Sequence, residues 1–101
     1  MKTRDVTMVH IYLTEGDKIL SQLMKQLHDE EKVSVVTVLR GITGFGKQGH
    51  IHSSSLIDVS FDLPLIIEFF DSAEKVIQII EDIQSLIEPG HIVSWSATIY
   101  E

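Results

Sequence analysis

The residues with the most chemical potential sit together in the middle of the chain. Arg40-Gly41-Ile42-Thr43-Gly44-Phe45-Gly46-Lys47-Gln48-Gly49-His50-Ile51-His52, followed by three serines, holds four of the six glycines and two of the five histidines. The glycine spacing is the reverse of the dinucleotide fingerprint G-x-G-x-x-G, and it lacks the Gly-Lys-Ser/Thr of a Walker loop. Two readings stay open for it. Glycines free to take positive φ would let a ligand reach bare backbone N–H groups, or the same residues make a bulge or hairpin bend. His50 and His52, two apart on an extended arm, face the same way and could both ligate a metal, but a pair is an incomplete ligand set. Ser53 beside His52 is the nearest approach to a nucleophile with a base, and serine runs commonly serve only as flexible loop.

Outside this window, Glu68 is the one charge within the apolar run Leu63 to Phe70. An unpaired carboxylate there would be costly to bury, so it is either a strand charge at a subunit rim or an acceptor for a ligand's amine. His10 alternates onto the outer face of its strand with Met8 and Tyr12, as an interface histidine with a satisfied hydrogen bond would. A phosphohistidine role would require a basic phosphate clamp, which two arginines barely supply.

The elements that must position these residues follow from periodicity. Val6 to Leu13 alternates as a strand. Ile19, Leu20, Leu23, Met24 and Leu27 form the stripe of a first helix that ends in the charged run from Asp29 to Lys32. Val33 to Leu39 is β-branched and runs into the glycine window as strand two. Leu56 to Val59 could continue a hairpin arm, and Leu63 to Phe70 is strand three, with Pro64 suited to its first residues. Asp71 to Glu74 reads as a capping box for a second helix striped by Val76, Ile79, Ile80, Ile83, Leu86 and Ile87, which Pro89-Gly90 stops. His91 to Tyr100 is strand four. Asp17-Lys18-Ile19-Leu20 repeats as Glu74-Lys75-Val76-Ile77, so the order is a duplicated β-α-β unit. An α+β ferredoxin-like sandwich is expected, a four-stranded antiparallel sheet with two helices on one face. Its open face would carry apolar residues of the first and third strands, a patch of the kind monomers rarely expose, and so should pack against other subunits.

Composition bounds the function. With 101 residues and 44% hydrophobic content, a single domain over 1–101 is expected. The apolar stretches fall far short of a bilayer span of roughly 20 residues, and the N-terminus lacks the apolar run of a signal peptide. No cysteine is present, which removes disulfides and thiolate metal sites, and a cytoplasmic home fits. Fifteen acidic residues against eight basic ones, a net charge of −7, leave no basic face for nucleic acid.

With this element order in view, the window VLRGITGFGKQGHIH resembles the P-II-like family of domain of unknown function 190. The segments IYLTEGDK, TVLRGITGFG, IHSSS and DLPLIIEFFDS fall in family order over nearly the whole chain. By extension the chain is similar to the nitrogen-regulatory P-II proteins. That resemblance implies a homotrimer binding an adenine nucleotide in clefts between subunits and engaging a partner protein, such as a membrane transporter, through a mobile loop, here 47–62. It implies that Gly44, Phe45 and Gly46 line the cleft, that Lys47 and Gln48 meet the ligand at the loop's root, that Glu68 is an acceptor near the base, and that Arg40 and Gly41 border the same cleft. The phosphate-gripping loop of those relatives is reduced here to Glu88-Pro89-Gly90-His91, which favours AMP or ADP over ATP. Their modifiable loop tyrosine is also missing.

Three functional readings result. The first is a non-enzymatic nucleotide-responsive regulator with no required cofactor. The second resembles the ferredoxin-like divalent-cation tolerance proteins and uses His50 and His52 as metal ligands. The third is a small phosphoryl-transfer enzyme acting through His10 or His50.

Overall fold

The computed structural model describes residues 1–45, 51–53 and 63–101. In chain order it contains β1 (Thr3–Thr14), a 3-10 turn (Glu15–Asp17), α1 (Leu20–Lys25), a wider helical turn (Gln26–Glu30), β2 (Val36–Arg40), β3 (Thr43–Phe45), β4 (Ile51–Ser53), β5 (Pro64–Asp71), α2 (Ala73–Ile83), a 3-10 turn (Gln84–Leu86) and β6 (Ile92–Tyr100). The main sheet is antiparallel with order β2-β5-β1-β6, the ferredoxin-like arrangement that the element order predicts, and β3 with β4 makes a separate hairpin. No helix among the described residues is long and apolar enough to cross a membrane.

Alternation along the strands divides the sheet's two faces. Val9, Ile11 and Leu13 of β1 and Leu65, Ile67 and Phe69 of β5 are buried against Leu23 and Leu27 from the first helical segment and Val76, Ile79 and Ile83 from α2. Each such side chain contributes roughly 1.5–3 kcal/mol by leaving water. On the open face the strand register sets three rows: Leu39-Ile66-Tyr12, Thr37-Glu68-His10-Val93, and Phe70-Met8-Trp95. Leu39, Tyr12, Val93 and Trp95 are exposed there in the single chain.

Several local expectations are corrected. Strand two starts at Val36 rather than Val33, because Val33 is drawn into the core and its N–H donates to the Leu27 carbonyl at 3.0 Å. Ser72, not Asp71, caps α2: its Oγ accepts from the Lys75 N–H, while Asp71 instead pairs with Lys75 Nζ at 3.2 Å. The two halves do not match turn for turn. Glu74 to Ile77 is helical, whereas Lys18 turns left-handed at φ 58°, so α1 starts only at Leu20.

Candidate functional site

Three strand ends meet where the glycine window begins. The Glu15 N–H, just past β1, donates to the Leu63 carbonyl at 2.9 Å, and the Gly41 N–H, just past β2, donates to the Pro64 carbonyl at 2.7 Å. Arg40 closes β2 opposite Leu65, which assigns its side chain to the helix-covered side of the sheet. Its guanidinium pairs with Glu15 Oε1; the Arg40 side chain is 65% exposed, the Glu15 side chain 17%. Glu15 Oε1 is shut off from solvent and takes no directed hydrogen bond, so the guanidinium against it is its charge partner.

The glycines here have a different cause from the one their freedom of φ suggests. Among the described glycines only Gly90, in the turn before β6, has positive φ, at 86°. Gly41 is needed for room: a Cβ on it would lie 2.6 Å from Pro64 Cγ, while one on Gly44 would be a tight 3.2 Å from the same atom. Pro64 therefore seats the root of the hairpin directly on the sheet. Beyond it Gly44 pairs with His52 and Phe45 with Ile51, and Ile42 and Phe45 are both 76% exposed. The extended arm expected to carry His50 and His52 thus includes a paired strand at Ile51–Ser53.

Glu68 stands apart from this corner. In the register it faces Thr37 and His10 on the open side of the sheet, opposite to the side that Arg40 takes. Its Oε2 lies 2.7 Å from His10 Nε2, so a carboxylate amid apolar rows is satisfied by hydrogen bonding within the chain. The Trp95 ring stands edge-to-face to His10 with centroids 4.7 Å apart, and the Tyr12 hydroxyl lies 3.5 Å from His10 Nδ1. His10 thereby has the satisfied hydrogen bond expected of it.

Within one chain the structure accordingly brings Arg40, Gly41, Gly44 and Phe45 together and separates them from Glu68. Gly46, Lys47, Gln48 and His50 lie outside the described residues, as does the proposed arm at Leu56 to Val59; of His52 the backbone pairing is described. Among the described residues no group of three His, Asp or Glu side chains could hold a metal ion. Sequence reasoning did not find Glu15 and Pro64, the two residues that organise the corner. Glu15 reaches Arg40 from the turn after β1 and Pro64 reaches Gly41 and Gly44 from the start of β5, and no local spacing signals such contacts.

Comparison with known proteins bears on the fold and the family. A UPF0166 protein of Aquifex aeolicus is 24% identical over 94 residues, covering 93% of this chain and 96% of the relative. Among solved structures, CPII of Thiomonas intermedia, a nitrogen regulatory PII-like protein bound to ADP, AMP and bicarbonate, superposes with TM-score 0.67 at 21% identity, covering 97% of this chain and 89% of that one. A PII-like signalling protein of Thermus thermophilus gives 0.67 at 14% identity, covering 100% and 93%. The divalent ion tolerance protein CutA1 of Ehrlichia chaffeensis gives 0.59 at 11% identity, covering 95% and 82%. These likenesses establish a shared ferredoxin-like fold. The model of domain of unknown function 190, described as an uncharacterized ACR family, matches residues 6–99, and the chain belongs to that family.

Proposed function

We propose that this chain is a non-enzymatic P-II-like regulator, a homotrimer that binds AMP or ADP in clefts between neighbouring subunits. Occupancy of the cleft sets the affinity of the segment 47–62 for a partner protein, such as a membrane transporter. The cleft would be lined by residues of the stretch from Arg40 to Gln48 of one subunit and by Glu68 from the open face of its neighbour. Coupling requires only that the nucleotide prefer one state of that segment.

The observation that carries this reading is the hairpin root. A glycine–phenylalanine strand seated on Pro64 and an arginine at the end of β2 project from a fold shared with CPII, a protein solved with ADP and AMP. Two further features support it. Phe45, 76% exposed in the single chain, offers a ring on which a base can stack, and the open sheet face carries exposed Leu39, Tyr12, Val93 and Trp95, which a neighbouring subunit would cover. The preference for fewer phosphates has its own support: the link before β6 is a tight turn, closed by the His91 N–H on the Glu88 carbonyl at 3.1 Å, and it contains no lysine or arginine.

Calorimetric titration of the assembled protein with AMP, ADP and ATP tests the proposal. Saturable binding of AMP and ADP, each at least as tight as ATP, is expected. Silence from all three nucleotides with the trimer intact overturns it.

A further inference from the structure

We propose that Glu15 sets the discrimination between nucleotides by number of phosphates, by holding Arg40 as a charge-neutralised pair; this rests on the nucleotide reading above. Among the described residues, Arg40 is the basic side chain that leaves β2 at the hairpin root, and its guanidinium, with the side chain 65% exposed, is placed to meet a phosphate. It is not a free cation. Glu15 Oε1 is inaccessible to solvent, and the Arg40 charge is its partner. For Arg40 to swing fully onto a phosphate, it would have to leave the largely covered Glu15 carboxylate, its side chain 17% exposed, without its charge partner, which opposes the movement. The backbone fixes Glu15 in turn, because its N–H is bound to the Leu63 carbonyl.

A nucleotide therefore meets the outward N–H groups of a guanidinium whose charge is already compensated. Those groups can hydrogen-bond a phosphate oxygen, but the fixed carboxylate behind them cancels most of the attraction that a bare guanidinium would offer each further negative charge. At a partly exposed site such a lost attraction is on the order of several-fold in affinity for an added charge. AMP forgoes the least of this attraction and ATP the most. Glu15 acts through Arg40 and is a positioning residue, not a ligand-contacting one.

The test is titration of AMP, ADP and ATP in magnesium-free buffer into the wild type, Glu15→Gln and Arg40→Gln, with sedimentation confirming equal assembly. Glu15→Gln keeps the side chain's size and removes its charge, so ATP should gain on the order of fivefold over AMP. Arg40→Gln leaves the carboxylate uncompensated and should widen the discrimination against ATP instead. Opposite movement of the ATP-to-AMP ratio in the two variants is the expected result. If Glu15→Gln changes all three affinities by one common factor, Glu15 is a structural clasp and the proposal fails while the nucleotide reading stands. If the assembled wild type binds none of the three, both fail together.

Discussion

At the scale of single residues, the corner at the end of β2 depends on contacts too close for an ordinary side chain. Gly41 has no positive φ to justify it, and what requires glycine is the Pro64 ring, 2.6 Å from where a Cβ would stand. A proline ring is stiff and β5 is held on both sides, so the hairpin root must move instead. Gly41→Ala is expected to cost about 1–3 kcal/mol in chemical denaturation, the range for overpacking. Pro64→Ala in the same chain should restore much of that loss, and additive losses in the double variant would show that the contact is not the cause. A glycine cluster in a sequence thus has two distinct origins, conformational freedom and close approach. Composition cannot separate them, because the approaching group lies on another strand.

At the scale of elements, the docking of the first helical segment on α2 contains a buried charge. Glu31 ends the wider helical turn, is 9% exposed and accepts from Gln26 Nε2 at 2.8 Å. Burial pushes its carboxyl above the ordinary value of 4.5; the Gln26 hydrogen bond opposes the shift, while Asp82 of α2 and Glu30 add to it. A carboxyl raised in the folded state binds its proton more tightly there than in the unfolded chain. Its contribution to stability is fully present below pH 4.5 and is lost as pH rises through the folded value. Glu31→Gln should therefore be stabilising at neutral pH, and its advantage over the wild type should grow from about pH 4.5 upward before levelling off. Denaturation curves at several pH values check this, and a difference independent of pH would contradict it. The elements themselves were largely legible. The alternation from Val6 to Leu13 and the stripe from Val76 to Ile87 encode strand and helix locally, because core contacts recur at the element's own period. The start of α1 was not legible, since Lys18 in the left-handed region has no compositional mark.

At the scale of the whole molecule, one face of the sheet is sealed by helices and the other presents a His10–Glu68 pair flanked by apolar rows. Sequence patterning anticipated the apolar open face, because both faces of β1 and β5 carry large side chains. It could not anticipate that His10 would satisfy Glu68, a contact made across 58 positions of chain. A trimer of three 11.4 kDa chains would cover these rows. Trp95, 42% exposed beside His10, is then an interface residue, and Trp95→Asp should drop the sedimenting mass from about 34 kDa to that of one chain with its circular dichroism unchanged. An unchanged mass would assign the assembly to a different surface.

In the proposed assembly the nucleotide binds between chains rather than within one. ADP titrated side by side into the wild type and the Trp95→Asp variant measures it. The account predicts saturation near one ADP per chain for the wild type and no binding by the single-chain variant. Equal affinity in the two, or no binding by an intact wild-type trimer, would contradict it.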